Sequence, residues 1–544
     1  MSKIGHYLQE HLTGEVVTSA EARRYFSTDG SIFTVAPALI VYPRNENDVR
    51  KTARFTWQLA ERGRIIPITA RGSGTDLSGA AIGTGIVLVF PAHMNKIIEF
   101  DSKDGHVVVD PGINFGKLQQ TLMTHGRFLP SYPASMEYST VGGAVANNGG
   151  GEKSYKYGTT GAFVKKLRVV LANGEVIETG RLGKHELNKK LGLATFEGEI
   201  YRAIDTLLEE QHQTVEQLRI GVSKNVAGYN LGAVKTKSGF DLTPLFIGSQ
   251  GTLGVITEID LSTELHNPST TMLVGMFDDI NKAHQAITEL QALAYSPSFI
   301  EMIDENLLTL VDQINPNLLK EIVKKPFPKV VLFVEFDNPQ DRIQNRMTKR
   351  ATKILQKHGT SHRLAKDHIQ QSQLWKLRQA VSIVLLHSDG NIRAIPVIED
   401  GIVPVREYAA FLTGIYEMLE RNHVDAAVWG HAGDANLHMQ PLLDLSQVGD
   451  RQKVFRLMEE YYDLIVKLGG STNGEHGEGR LQAPFLSKIY SPEAYELLQK
   501  VKQIFDPYGT LNPGVKINVS LEDIKPLLRH EYYLGSLHDY LPRT

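Results

Sequence analysis

Short apolar runs alternate with helix-period segments through the first 265 residues. ALIVYP (38–43) predicts a strand, and 45–62 follows with Val49, Ala53, Trp57 and Leu59 at helical spacing. IIPITA (65–70) predicts a buried strand running straight into glycines. GIVLVF (85–90) and HVVVDPG (106–112) predict two more strands, followed by a helix around Phe115 to His125. FVKKLRVVLANGEVIET (163–179) predicts a β-hairpin with Asn173-Gly174 as a type I′ turn. A polar helical stretch covers 185–220, and TPLFIGSQGTLGVITEIDL (243–261) reads as strand, glycines, strand. Beyond about 265 the style changes. Apolar strands are expected at 271–278 and 329–336, and helices at 280–294, 339–358 and 406–422. SPEAYELLQKVKQIF (491–505) predicts a helix with a Pro-Gly-rich stop. The pattern is α+β, with units expected at 1–265, 266–495 and 496–544.

Composition narrows the chemistry. A chain of 544 residues is too long for one core. Its net charge of −3 gives no electrostatic footprint for nucleic acid. The absence of cysteine excludes disulfides, thiolate zinc sites, cysteine nucleophiles and cysteine-ligated iron–sulfur clusters, so redox chemistry needs an added carrier. MSKIGHYLQEHLTGE lacks a signal-peptide core, and no apolar run is long enough to span a bilayer. The expectation is a cytoplasmic protein, with peripheral contact at the inner face of the membrane left open. The tail LLRHEYYLGSLHDYL (527–541) reads as a packed terminal helix or a docking segment.

Glycines cluster at 71–85, 142–161 and 470–479. RGSGTDLSGAA (71–81) follows a strand and lets backbone amides approach a phosphate, yet it is neither a P-loop nor GxGxxG. One such loop is equally a structural turn. The second, STVGGAVANNGGGEKSYKYGTTGAFV (139–164), favours an extended cofactor between the two. GHAGDANLH (430–438) places His431 and His438 on opposite faces of a straight strand, so they converge only if AGDAN bends the chain. Two imidazoles want an oxygen ligand, and GGSTNGEHGEGR (469–480) offers Glu475 beside His476. From the residues alone, a metal site and unrelated polar loops both remain open.

PITARGSGTDLSG resembles the pyrophosphate loop of the vanillyl-alcohol-oxidase/p-cresol-methylhydroxylase (PCMH) flavoproteins. The second glycine loop, LFIGSQGTLGVITEIDL and IFDPYGTLNPGVKI resemble three further hallmarks in the same order. GHAGDANLH and GEHGEG are similar to signatures of the D-2-hydroxyacid dehydrogenase branch, which acts on D-lactate, glycolate and D-2-hydroxyglutarate. The resemblance implies a two-subdomain FAD-binding domain of the PCMH type, an α+β cap domain with an antiparallel sheet, and a C-terminal segment returning to the FAD domain. It implies that Arg71, Gly72, Ser73, Gly74, Thr75 and Ser78 hold the FAD pyrophosphate. Ser139, Thr140, Gly142, Gly143, Asn147, Gly149 and Gly150 would line the second loop, with Pro133 also binding the cofactor. Tyr157, Gly158 and Thr159 would approach the flavin or ribityl chain; Gly251, Gly254, Val255 and Ile256 the adenine; and Asn512 the flavin ring. The 71–81 loop has no histidine, so FAD is expected to be non-covalent.

The same resemblance implies a divalent metal on His431, His438 and Glu475, zinc first and manganese next. His476 would be the base, with a pKa near working pH. Arg378, from QLWKLRQA, would clamp the substrate carboxylate. Asn436 would hold the substrate or orient a ligand. A 2-hydroxy acid would lose its hydroxyl proton to His476 and its Cα hydride to flavin N5. A quinone, an electron-transfer protein or an iron–sulfur partner would collect the electrons, and a homodimer is compatible. Glu301, Met302 and Asp304 are a candidate substrate wall. The pattern departs at Ile398, where many branch members carry Lys, with Arg393 nearby as a substitute, and at Ala435, where Gly is usual. Two alternatives stand beside this reading: a zinc hydrolase using the same His/His/Glu set, and a non-redox or non-catalytic FAD-binding protein of the same fold.

Overall fold

The apolar runs resolve into two small sheets and one large one in a computed structural model that describes residues 3–319 and 322–532. The first sheet has the order Glu15–Val17, Leu39–Tyr42, Ile86–Val89, Ile68–Arg71; its outer antiparallel pair is followed by two parallel ones. Asn45 caps the helix Glu46–Ala60 by accepting from the Asp48 amide. Val49 and Ala53 on that helix pack with Ile68, Ile86 and Leu88. The second sheet is antiparallel, in the order Ile97–Asp101, His106–Val109, Val255–Ser262, Val164–Val170, Val176–Glu178. Val255–Ser262 alternates buried and half-buried residues. Its inner face joins a core that includes the helices Phe115–Thr124, Phe196–Glu210 and Pro492–Phe505.

The large antiparallel sheet runs Ser361–Ala365, Thr271–Phe277, Val330–Phe336, Phe299–Asp304, Ala426–His431, Asn436–Leu443, Arg393–Ala394, with Gly401–Ile402 also paired to 436–443. Helices cover both faces. Val330, Leu332 and Val334 pack with Ala283, Ile287, Met347 and Phe411 on one side. Val331 and Phe333 pack with Leu307, Val311 and Leu377 on the other. A sheet buried on both sides has no polar face, which is why VVLFV (330–334) reads as an unbroken apolar run.

Two local expectations change. Thr243–Phe246 is a short helix rather than a strand, because Pro244 opens it at a position where no amide is needed and Leu245 and Phe246 are buried. The hairpin at 164–178 forms, but its turn is not type I′. The Gly174 amide closes the turn on the Leu171 carbonyl, and only Gly174, at φ 83°, is left-handed; Asn173 is not.

The hairpin of GHAGDANLH bends through a helical turn at Ala432–Asp434 and a left-handed residue, Ala435, at φ 52°. His431 then stands opposite Asn436, and Trp429 opposite His438. The strained φ costs Ala about 1 kcal/mol relative to Gly. The Ala435 methyl is fully buried in the large core, and burying one methyl returns about 0.8 kcal/mol, so the substitution is nearly neutral.

Two connections tie the units together. Lys153 and Lys156 of the second glycine loop reach Glu335 and Asp337 at the end of a central strand, each at 2.5 Å, and the Tyr157 hydroxyl donates to Asp337. Near the C-terminus, the Ile68 amide donates to the Thr510 carbonyl at 2.7 Å and the Asn512 amide donates to the Ile68 carbonyl at 2.9 Å. From the tail, Leu528 and Tyr532 pack in the large core; the rest of that stretch, from 533, lies outside the described residues. Among the described residues, no helix is long and apolar enough to cross a membrane.

Candidate functional site

The two glycine loops meet each other. A Cβ at Gly72 would lie 2.3 Å from Thr140 Oγ1, so only glycine lets the loops touch there. Asp76 knits the first loop by accepting from the Ser78 and Ala80 amides, and Asn147 of the second loop donates to it at 3.0 Å. Burial, with the Asp29 charge, pushes the Asp76 carboxyl up to about 6. Gln250 binds Ser78 and Asn147 through its amide nitrogen and takes the Gly479 amide on its oxygen. Ser139 Oγ is buried without a partner among the described residues, so the second loop holds an unsatisfied hydroxyl. Gly72→Ala is expected to force the loops apart at a cost of about 1–3 kcal/mol, lowering FAD affinity by about 10–100-fold. Flavin absorbance titrated against free FAD checks this.

The histidines of the bent hairpin gather around one carboxylate oxygen. His431 Nε2 lies 2.8 Å from Glu475 Oε1, His438 Nε2 3.5 Å and His476 Nε2 3.9 Å from the same atom. The His431 and His438 rings are edge-on at 5.2 Å, and His438 stacks on His476 at 5.0 Å and 15°. Behind the rings stand two more carboxylates. His431 Nδ1 donates to Glu301 Oε1 at 2.5 Å, and His476 Nδ1 donates to Glu399 Oε1 at 2.6 Å. Arg378 donates to Glu301 from Nε and Nη2. Asp400 accepts the amides of Glu475 and His476 and, with its carbonyl and carboxylate, the Asn436 side chain. Lys224 pairs with the other oxygen of Glu475 and lies 4.0 Å from Asp434.

Five buried carboxylates, Glu301, Glu399, Asp400, Asp434 and Glu475, thus face two cations, Lys224 and Arg378. The histidines feel the excess. Burial alone would lower His431, but Glu301 and Glu475 raise it to about 9. Burial is likewise outweighed at His476, where Glu399 and Asp400 raise it to about 10. His438, Glu475, Asp400 and His476 each offer a ligand atom within 4.8 Å of one another, and His431 joins them through Glu475. The cluster abuts the second glycine loop. A Cβ at Gly150 would lie 2.6 Å from Glu475 Oε2. Beside Lys224 and Asp434 a cavity of about 320 Å³ extends along Asn148, Gly158 and Thr159.

Residues 37–180 match the family model of the FAD binding domain, and residues 266–515 that of the FAD linked oxidases, C-terminal domain. The chain is an FAD-linked oxidoreductase. This flavoprotein is 28% identical over 480 residues to the glycolate oxidase subunit GlcD of Bacillus subtilis (strain 168), covering 88% of each chain. It is 29% identical over 525 residues to the D-2-hydroxyglutarate dehydrogenase of Escherichia coli (strain K12), covering 93% of this chain but 50% of that one. The flavoprotein therefore spans half the length of that relative. Its fold is that of p-cresol methylhydroxylase with substrate bound, at a TM-score of 0.68 and 15% identity, covering 96% of this chain and 97% of the other.

Several side chains in the flavoprotein stand differently from the sequence expectation. The Arg71 guanidinium is buried against the Thr28 and Ala81 carbonyls, bracing the first loop from beneath. Asn512 spends its amide on the Ala80 and Gln250 carbonyls and accepts from Thr69, stitching the returning chain to that loop. Gly142 packs on Pro111, and Gly254 on Val169. Of the proposed substrate wall only Glu301 reaches the cluster. Met302 points into the opposite core beside the Tyr408 hydroxyl, and Asp304 caps the helix Glu305–Ile314. Arg393 does not replace the missing lysine, because its guanidinium is held by the Gly390 and Ile392 carbonyls; Ile398 is fully buried in the core. His476 does not sit near neutrality on the protein groups alone, because Glu399 and Asp400 hold its proton. Glu399, Asp400 and Lys224 had no assigned chemistry in the sequence, and Glu301 was expected only as part of a substrate wall, not as a carboxylate behind His431.

Proposed function

We propose that the flavoprotein oxidises a small D-2-hydroxy acid to the 2-oxo acid, with non-covalent FAD and a divalent cation, zinc before manganese, at His431, His438 and Glu475. The observation that carries this is the convergence of three imidazole Nε2 atoms on Glu475 Oε1, directly against Gly150 of the second glycine loop. Nitrogen and carboxylate donors with excess buried negative charge fit a divalent cation. Touching glycine loops and the unsatisfied Ser139 hydroxyl fit a long polar cofactor. The activities for which the two relatives are named, on glycolate and D-2-hydroxyglutarate, support a 2-hydroxy acid.

When bound, FAD supplies the two-electron acceptor and the cation supplies Lewis acidity toward the hydroxyl. The chain supplies the rest. His476 accepts the hydroxyl proton at Nε2 while Glu399 anchors Nδ1. Arg378, oriented by Glu301, offers its remaining face to the substrate carboxylate. Asn436 and Asp400 fix the turn that carries Glu475 and His476. A separate acceptor, a quinone, an electron-transfer protein or an iron–sulfur partner, removes the electrons.

Anaerobic addition of D-lactate, glycolate, D-malate and D-2-hydroxyglutarate tests the reading. At least one should bleach the flavin band, and the L-isomers of the chiral acids should not. A colourless protein that FAD does not reconstitute, or a yellow one that no 2-hydroxy acid bleaches, overturns it.

A further inference from the structure

We propose that Glu399 is a positioning residue that holds one metal-binding imidazole and the proton-accepting imidazole as a single unit. The proposal rests on the metal reading above and extends the role of Glu399 from His476 to the metal-binding His438.

Glu399 lies in VIEDG (397–401), between two residues with fixed duties. Ile398 is sunk in the core, and the Asp400 carboxylate is occupied by the amides of Glu475 and His476 at 2.9 and 2.8 Å. Glu399 is only 2% exposed and its side chain turns to the two stacked rings. Its Oε1 takes the His476 Nδ1 proton at 2.6 Å, and its Oε2 stands 3.5 Å from His438 Nδ1. That distance is too long for a made hydrogen bond, and His438 Nδ1 is buried without a partner among the described residues. Glu399 Oε2 is thus the acceptor that the fold offers it.

An imidazole that binds a cation through Nε2 must carry its proton on Nδ1, and a carboxylate behind the ring fixes that tautomer. One carboxylate serves two rings here, so both Nε2 atoms are aimed at Glu475 Oε1 together. Glu301 divides its duties otherwise, between His431 and Arg378. Gln at 399 keeps one acceptor but turns an amide NH₂ toward the second Nδ1–H, so one ring is left facing a donor.

The test uses the full chain with FAD bound, titrated with zinc in competition with a chromophoric chelator, alongside kcat and KM for the acid that bleaches the flavin best. Glu399→Gln should weaken zinc binding by about 10–100-fold and lower kcat more than it raises KM. Glu399→Asp, which keeps the charge on a shorter arm, should fall between Gln and the parent in both. Glu301→Gln should weaken zinc while leaving the pH dependence of kcat at its parent position. Glu399→Gln with parental zinc affinity, or with lowered kcat and unchanged zinc binding, overturns the proposal. If the Gln variant does not hold FAD, the Asp variant decides, and parental zinc affinity and kcat there overturn it. A parent protein that binds neither zinc nor manganese defeats the metal reading itself, whereas a parent that binds zinc as tightly as its Glu399→Gln variant defeats only the role of Glu399.

Discussion

His476→Ala lowers kcat by about 10²–10⁴-fold while the protein stays yellow, the loss expected when a general base is removed. In the proposed mechanism the surroundings of His476 hold it for this one task. Its Nδ1 is taken by Glu399, its amide by Asp400, and its ring rests on His438. None of these contacts involves the loops at 71–81 or 139–164, so FAD content should not change. Turnover at the parental rate would remove His476 from the mechanism. The pH profile carries a sign as well. The base works only without its proton, so kcat/KM rises with pH from neutrality. On the protein groups alone the upper limit is about 10, because Glu399 and Asp400 outweigh burial; a cation among the same ligands moves it down. The same raised pKa stabilises the fold below the ordinary 6.5, and that contribution is lost as pH rises through about 10.

Glu475→Gln should cost both the cation and part of the fold. Glu475 accepts from His431, is approached by His438 and His476, pairs with Lys224 and is 2% exposed. With the carboxylate gone, Lys224 keeps only Asp434, 4.0 Å away. Breaking a buried pair from one side costs about 3–5 kcal/mol. On the proposed mechanism, loss of the cation's Lewis acidity would add several kcal/mol to the barrier, about 10²–10³-fold in kcat/KM. Chelator competition, denaturant unfolding and turnover read the three effects separately. Parental metal affinity in this variant would place the cation elsewhere.

The sequence revealed most where structure is local. The bend at AGDAN, the strands flanking it and the glycine loops all follow from residues a few positions apart, and each forms. The carboxylates behind the histidines were not legible in that way. Glu301 meets His431 across 130 positions through the pairing of the large sheet, and Glu399 meets His476 across 77 through the Ile402–Ser471 bridge and the hydrogen bonds of Asp400. In FIEMID, Glu301 sits in a fully buried strand, where a charge has no periodic signature. The side-chain direction of Arg71 was equally hidden. A guanidinium beside glycines suggests an anion, and only the packing of Thr28 and Ala81 turns it inward. The helix at Thr243–Phe246 was missed because four apolar-leaning residues carry too little period to distinguish helix from strand.

The pairing of Thr510 and Asn512 with Ile68 also orders events during synthesis. Ile68–Arg71 is the outermost strand of the first sheet, and the chain that covers it is made more than four hundred residues later. Until that segment emerges from the ribosome, the strand beside the first glycine loop lacks its lateral partner and presents unpaired backbone to the surrounding solution. The first sheet, although its strands lie within residues 15–89, is therefore completed only once residues 510–512 have been made.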